Sequence, residues 1–277
     1  MSDRNPQEPA FSEPALPPPT VGRSSVEVFR TSVWAFLLRE MKDQFGRFRL
    51  GYFWALAEPG AVVAILTFLH AVVRGGHSTL YGESPVVFFV FGAVPYFLFM
   101  NCVQRAQGAI SGMKGLFSYR QVRPIDVVIA RSIIEGLTMV GVGFLFVLGW
   151  LWFGNTLPLA DPLLLASSLT MLFLLGFSLG LCFEVFGTIY NDMRRIFAIV
   201  MRPMFFISGL FFTIEMIPME YRPYLIWNPV LHAVDFTRDA VLQGYESPAN
   251  PYYVPACILL LLFIGLSGYR RYMHQLI

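Results

Sequence analysis

Residues 163–183 read LLLASSLTMLFLLGFSLGLCF, a run of 21 residues without a charged side chain. A helix of about 20 apolar residues crosses the hydrocarbon core of a bilayer, so this run predicts a transmembrane helix. Five further apolar runs of comparable length occur in the chain. The six predicted spans are residues 52–73, 86–103, 127–153, 163–183, 196–214 and 253–269. The sequence therefore predicts an all-α integral membrane protein whose six-span transmembrane domain occupies residues 52–277.

The composition agrees with this class. Hydrophobic residues make up 56% of the chain and charged residues 14%, with a mean hydropathy of +0.58. Soluble domains contain about 25% charged residues. The net charge of +2 is too small to indicate a nucleic-acid partner.

The N-terminal region differs from the rest of the chain. Residues 1–25 contain six prolines and no apolar run, which is typical of a disordered tail and unlike a cleavable signal peptide. Residues 26–51 are predicted to form an amphipathic helix in the plane of the membrane interface. Its apolar stripe consists of Val26, Phe29, Val33, Leu37, Met41 and Phe45. Packing of this helix on a partner protein is the alternative interpretation.

Basic residues are distributed unevenly among the connections between the runs. Fifteen of the 20 lysines and arginines lie before the first run, in the second and fourth connections, or after the last run. Three lie in the other connections. Cytoplasmic loops carry the excess of positive charge, so both termini are predicted to be cytoplasmic. An even number of spans agrees with this topology.

Residues 215–245 are not typical of an ordinary loop. Short apolar pieces alternate there with Pro218, Pro223 and Pro229. Such pieces are too short to span a bilayer but fit helices that enter it halfway and pack against protein. We therefore predict a re-entrant helical segment between spans five and six, with a partly folded external loop as the alternative.

Polar residues within predicted spans are costly and often functional. Several charges of this kind lie in the spans or, for Glu184, directly after the fourth span, together with two prolines that kink helices: Glu58, Pro59, Arg131, Glu184, Arg202 and Pro203. We hypothesise that Glu58 or Glu184 pairs with Arg131 or Arg202 and holds the cytoplasmic half of the bundle together. Alternatively, each charge snorkels to the headgroups, which is the preferred interpretation for Arg131.

Two glycines of the fourth run, Gly176 and Gly180, are separated by one helical turn. Small residues at this spacing allow two membrane helices to approach closely. The spacing is common in membrane helices, so it predicts a close contact without identifying the partner helix.

Motifs for energy conversion are missing from the sequence. It contains no GxxxxGK[ST] phosphate-binding loop and no series of intramembrane carboxylates typical of proton-driven pumps. No HExxH or CxxC motif indicates a metal site. We expect no catalytic residue, metal or cofactor in this chain. Transport energy must come from a partner, unless the protein conducts passively or is not a transporter.

Four stretches resemble one family. They are GRFRLGYFWALAEP (46–59), GLFSYRQVRPIDVVIAR (115–131), RPMFFISGLFF (202–212) and WNPVLHAVDFTRDAVLQGY (227–245). Together they are similar to the permease subunits of type 2 ABC exporters of polysaccharides, over residues 26–277. RQVRPID is the most specific stretch, and it resembles the capsular polysaccharide subgroup.

The resemblance implies a homodimer in the bacterial inner membrane with two cytosolic ATPase subunits, which bind ATP and Mg²⁺. It also implies periplasmic and outer-membrane export proteins as further partners. In the family, the loop near 104–124 and the N-terminal helix contact the ATPases. The residues that match these places, with the 188–195 connection, are Arg39, Lys114, Tyr119, Arg120, Arg123, Pro124, Asp192 and Arg194. Anchoring by positive charge is the alternative explanation, and for Arg194 it is equally favoured.

The resemblance also implies a substrate. Capsule exporters move a long acidic polysaccharide on a lipid terminus from the cytosol through a pore between two permeases. Lys42, Arg47 and Arg49 are placed to attract an anionic linker where the substrate enters. Alternatives are an O-antigen or teichoic acid exporter, a membrane-embedded glycosyl- or acyltransferase using His232, Asp235 and Asp239, and a structural scaffold.

Overall fold

The structure, a computed structural model, describes residues 25–46, 51–74, 79–112 and 123–276. Within these residues the chain forms nine helices and no β-strand. The helices are α1 (Ser25–Gly46), α2 (Gly51–Arg74), α3 (Pro85–Ala106), α4 (Pro124–Trp152), α5 (Pro162–Ile189), α6 (Asn191–Ile207), α7 (Arg222–Leu225), α8 (Pro229–Asp239) and α9 (Tyr253–Leu276). The all-helical class is therefore confirmed for the described part of the chain.

Five of the six predicted spans are confirmed as helices long and apolar enough to cross a membrane. They cover Phe53–Val73, Pro85–Ala106, Pro124–Trp152, Pro162–Ile189 and Tyr253–Met273. Most of them extend a few residues past the predicted ends, because a helix continues beyond its apolar run to the depth of the headgroups.

The fifth predicted span, residues 196–214, is not a single helix. Helix α6 has 17 residues and ends at Ile207. The chain then turns at Gly209, whose φ of +81° glycine adopts without steric cost, and residues 208–221 form no helix. Hydropathy does not register a backbone break inside continuously apolar sequence. The six-span count therefore stays a prediction.

The re-entrant segment, predicted over residues 215–245, contains the two short helices α7 and α8. Helix α8 has 11 residues, and every side chain from Val230 to Arg238 is buried. Helical pieces too short to span a membrane are thus present where they were predicted. Their position halfway across the bilayer stays a prediction.

Four helices begin with proline at their first position. In α3, α5 and α8 the preceding residue caps the helix: the side chains of Ser84, Asp161 and Asn228 accept hydrogen bonds from backbone N–H groups of the first turn. Proline is favoured there because the first N–H groups of a helix have no partner inside it. These pairs fix where the helices start, and in α4 the proline follows Arg123.

Helices α3 and α5 form the centre of the bundle. A Cβ added to Gly176 would lie 2.7 Å from the carbonyl oxygen of Phe99, and one added to Gly180 would lie 2.7 Å from the Cβ of Ala106. No real Cβ makes such contacts, so both positions require glycine as the helices now pack. The close approach predicted from the glycine spacing is confirmed, and α3 is the partner helix.

Arg105 near the end of α3 pairs with Glu135 in the first half of α4, and Glu184 near the end of α5 binds the turn after α3. Gly265 and Gly268 of α9 pack against the last turns of α5. The C-terminal ends of α3, α5 and α9 and the start of α4 therefore lie at the same end of the bundle. We call this the basic end, and we call the other end, which includes α7 and α8, the opposite end. The basic end carries Arg105, Arg123, Arg195, Arg270 and Arg271.

Helix α1 packs against α4. The predicted apolar stripe is buried only in part, since Val33 is buried, Leu37 is half-buried and Met41 is 45% exposed. The exposed face instead carries Trp34, Leu38 and Met41, which are spaced by one helical turn. The side chains of Val26, Phe29 and Phe45, and the tail before residue 25, lie outside the described residues.

Candidate functional site

The ATPase-coupling candidates that the structure describes lie at the basic end. Arg39 is exposed on α1, Asp192 is exposed in the first turn of α6, and Arg123 and Pro124 begin α4. The described residues do not include Lys114, Tyr119, Arg120, Arg47 or Arg49, nor the side chain of Arg194, whose backbone lies in α6. Lys42 is exposed on α1.

Glu184 holds the start of the α3–α4 connection. Its Oε2 accepts a hydrogen bond of 2.6 Å from the backbone N–H of Gly108, and its Oε1 accepts one of 2.6 Å from that of Ile110. Glu184 is 1% exposed, and Ile110 is fully buried. Charge-assisted hydrogen bonds of this kind are about twice as strong as neutral ones. The turn at residues 107–112 is therefore fixed to α5 from within the bundle.

Two ion pairs join other elements at this end. The Nε of Arg131 lies 3.2 Å from the Oε2 of Glu40, joining α4 to α1. The Nε of Arg105 lies 3.3 Å from the Oε2 of Glu135, joining α3 to α4. The sequence hypothesis is therefore wrong for two of its charges, because Arg131 pairs with Glu40 and Glu184 binds backbone N–H groups.

Charge reversal at the Glu40–Arg131 ion pair tests how much this pair contributes to the stability of the protein. Glu40→Arg and Arg131→Glu each place two like charges at this contact, and we expect each to lower stability by about 1–3 kcal/mol, while the double reversal recovers at least half of the loss. The measurement is the fraction of monodisperse protein after heating in detergent. Arg30→Glu, on the exposed face of α1, is the control. A double variant as unstable as the worse single variant would contradict the pairing.

A cavity of about 670 Å³ opens between α2, α3 and α6. Its polar lining residues are Glu58, Gln104 and Arg202, and Glu58 and Arg202 are exposed. Pro59 and Pro203, which follow these two charges, lie inside α2 and α6. The structure thus brings both the Glu–Pro and the Arg–Pro element to one cavity, although no ion pair between Glu58 and Arg202 occurs among the described residues.

At the opposite end, a buried arginine organises the irregular segment after α6. Arg238 is fully buried and donates hydrogen bonds to the carbonyl oxygens of Phe88, Gly209, Leu210 and Phe212. Its Cζ also lies 4.0 Å from the centre of the Phe88 ring. Buried irregular backbone requires such partners, because its polar groups find none within a helix.

Asp235 also forms a hydrogen bond with the irregular segment after α6. Its carboxylate accepts hydrogen bonds from the backbone N–H of Ile214 and from the hydroxyls of Tyr245 and Ser247. Tyr81, before α3, hydrogen-bonds to Thr213 at 2.8 Å, and burial raises the pKa of its phenol. We call Arg238, Asp235 and the residues they bind the Arg238 block.

These contacts contradict the transferase alternative. Asp235 is fully buried and bonded to protein groups, and the Nε2 of His232 lies 2.8 Å from the carbonyl oxygen of Ile226. Asp239 accepts a hydrogen bond from the backbone N–H of Ser247. A transferase needs such groups to reach a substrate. Among the described residues, no group of three His, Cys, Asp or Glu side chains is arranged to hold a metal ion.

Sequence reasoning missed Glu40, Gln104 and Arg238. Glu40 lies in α1, outside the predicted spans, and Gln104 lies just past the second one. Arg238 enters the sequence prediction only as a basic residue of a connection. Arg238 stands between Asp235 and Asp239 in the sequence, so nothing there distinguishes it from an exposed charge.

Comparisons with known proteins agree with this architecture. The family model described as ABC-2 type transporter matches residues 31–242. The chain is 38% identical to the polysialic acid transport protein KpsM of Escherichia coli over 251 residues, 90% of this chain and 96% of the relative. It is 30% identical to the capsule polysaccharide export inner-membrane protein CtrC of Neisseria meningitidis serogroup B, covering 90% and 93%. The O-antigen export system permease protein RfbA of Klebsiella pneumoniae is 23% identical, covering 86% and 90%.

Proposed function

Because the chain belongs to the ABC-2 type transporter family, we propose that it is the permease subunit of an ATP-driven capsular polysaccharide exporter. It moves lipid-linked acidic polysaccharide from the cytosol across the inner membrane. The names of KpsM and CtrC support this substrate, and both cover nearly the whole chain. The chain is a transport permease and not an enzyme, and ATP and Mg²⁺ bind to a separate subunit.

We propose that the basic end faces the cytoplasm, with both termini on that side. Helix α6 and the irregular segment after it form the fifth of six spans, and α7 and α8 enter the membrane from outside. The exposed Trp34, Leu38 and Met41 of α1 support its residence at the inner interface.

The single observation that carries a transport function is the polar cavity between α2, α3 and α6. Glu58 and Arg202 are exposed, and each is the one Asp, Glu, Lys or Arg of its apolar run, residues 52–73 and 196–207 respectively. Charges at membrane depth face a water-filled space or other protein, because exposure to lipid is too costly. A second copy of the chain, placed against this face, encloses the cavity as a path for the polymer. The functional unit is thus a homodimer.

At the basic end, the proposed contact with two ATPase subunits involves Arg39, Arg123, Pro124 and Asp192, with Lys114, Tyr119, Arg120 and Arg194. Glu184 transmits movement of this surface, since it attaches the 107–112 turn to α5. Lys42, Arg47 and Arg49 attract the anionic end of the substrate. Periplasmic and outer-membrane export proteins continue the route.

Reconstitution with the partner ATPase tests this function. We expect the ATPase to co-purify with the chain, and Arg123→Glu combined with Asp192→Arg to reduce the retained ATPase at least about fivefold by weakening electrostatic contacts. Glu246→Lys, an exposed charge at the opposite end, is the control. In liposomes, lipid-linked acidic polysaccharide should stimulate ATP hydrolysis. Absence of a bound ATPase, or of any stimulation, would contradict the proposal.

O-antigen export is the second candidate, and the similarity to RfbA supports it. Complementation of strains that lack either their capsule permease or their O-antigen permease distinguishes the two candidate substrates. Restored capsule in a strain without its capsule permease, with no restored O-antigen in the corresponding strain, supports capsule export. The reverse pattern supports O-antigen export.

A further inference from the structure

The cavity between α2, α3 and α6 holds opposite charges on different walls. Glu58 lies on α2 and Arg202 on α6, and Gln104 of α3 lines the same space. Within the described residues, no carboxylate forms an ion pair with Arg202. Its guanidinium therefore faces a space of about 670 Å³ with its donors available to a ligand.

The remaining walls of the cavity strengthen the effect of this charge. They consist of apolar and aromatic side chains, among them Phe97, Phe205 and Phe206. Apolar walls have a low dielectric constant and concentrate the field of a charge, so an ion is attracted there more strongly than at an open surface. Arginine binds a carboxylate with two parallel hydrogen bonds, whereas lysine acts as a point charge.

We propose that Arg202 selects a negatively charged polymer. Its guanidinium forms ion pairs with successive sugar carboxylates as the chain passes through the cavity. Glu58 opposes this attraction from the other wall. Such a counter-charge suits a path, since a site must bind well enough to admit an ion but weakly enough to release it. The inference rests on the proposed function, because it assumes that the cavity belongs to the polymer path.

Thiol labelling measures the charge of the cavity directly. Ala198 is exposed, lines the cavity and lies one turn before Arg202, so Ala198→Cys introduces a thiol there. The experiment uses the complete complex in nanodiscs of phosphatidylcholine. It compares the reaction rates of an anionic and a cationic methanethiosulfonate reagent, MTSES and MTSET. The protein without this substitution gives the background from Cys102, Cys182 and Cys257.

We expect Arg202→Gln to lower the ratio of the MTSES rate to the MTSET rate about tenfold, and Glu58→Gln to raise it. Oligosialic acid should slow labelling of Ala198→Cys when Arg202 is present and not in the Arg202→Gln variant. A neutral maltooligosaccharide of equal length should slow neither. Arg202→Lys should keep the rate ratio but lose most of the protection, because it lacks the planar pair of donors.

The outcomes separate this inference from the proposed function. If neither reagent modifies Ala198→Cys, the cavity is not a water-filled path and the proposed function fails. If labelling occurs but its charge preference does not depend on Arg202, the role of Arg202 is overturned. Protection by anionic phosphatidylglycerol and not by oligosialic acid also overturns it, since Arg202 then binds lipid headgroups.

Discussion

Replacing Glu184 with glutamine is expected to reduce polymer-stimulated ATP hydrolysis and transport at least about tenfold, while the permease still assembles. Glutamine has one acceptor oxygen where the carboxylate uses two, so either Gly108 or Ile110 loses its partner. The loss of charge weakens the remaining hydrogen bond. Together these changes cost about 2–3 kcal/mol, and 1.4 kcal/mol already changes the equilibrium between the fixed and the released turn about tenfold.

The measurement is the ratio of stimulated to basal ATP hydrolysis in liposomes, with transport followed in parallel. Glu246→Gln is the matched control, because it makes the same change on an exposed residue at the opposite end. Glu184→Asp keeps the charge on a shorter side chain and should give an intermediate loss. If Glu184→Gln lowers thermal stability but leaves the stimulation ratio unchanged, Glu184 has a structural role only.

The position of α5 explains why this contact matters beyond the turn. Helix α5 carries Glu184 near the basic end and packs against α3, α8 and α9. Its glycines bring α3 into direct backbone contact. We therefore expect a displacement of the 107–112 turn to reach α8, and with it the Arg238 block, through one rigid helix. This gives a physical route from the proposed ATPase contact to the opposite end of the bundle.

The sequence predicted the parts of this fold that depend on one element at a time. Apolar runs located five helices, because the bilayer sets the length of a span. The spacing of Gly176 and Gly180 predicted a close helix contact, because small residues one turn apart share a face of their own helix. The Pro-interrupted segment 215–245 was expected to contain short helical pieces for a similarly local reason, since proline limits helix continuation.

Relations between elements were predicted poorly. The partner of Arg131 depends on how α1 and α4 are rotated and packed, and hydropathy contains no information on either. The break after α6 depends on Gly209 together with the carbonyl partners that Arg238 supplies from α8, 29 residues later in the chain. The shared cavity of Glu58 and Arg202 likewise appears only when α2 and α6 are brought together.

Loss of Arg238 is expected to destabilise the fold more than either charge reversal at the Glu40–Arg131 pair. Arg238→Met keeps an apolar stem of comparable length but leaves four carbonyl groups, three of them in irregular backbone, without these donors. Each unsatisfied buried group costs about 1–3 kcal/mol, so the total is of the order of 4 kcal/mol or more. The thermal midpoint in detergent should fall by about 10 °C or more. Arg238→Lys should recover little, because one ammonium group cannot reach all four oxygens.

Gly92→Ala tests the same block from α3. An added Cβ at Gly92 would overlap the Nη2 of Arg238 and lie 3.2 Å from the carbonyl oxygen of Leu210. Since the guanidinium is held by its acceptors, it cannot move aside without breaking hydrogen bonds. We expect a fall in the thermal midpoint close to that of Arg238→Met. Gly141→Ala is the matched control, because an added Cβ there would meet no atom within 4 Å.

The double variant Gly92→Ala/Arg238→Met shows whether the losses of thermal stability in the two single variants have one cause. In the Arg238→Met background the overlap at Gly92 is gone, so Gly92→Ala should lower the midpoint little further, and the double variant should resemble Arg238→Met alone. Non-additivity of this kind is expected for residues in direct contact, whereas independent sites add their effects. Additive losses would mean that Gly92→Ala destabilises the helix for another reason, and that the Arg238 block does not depend on the fit between α3 and Arg238.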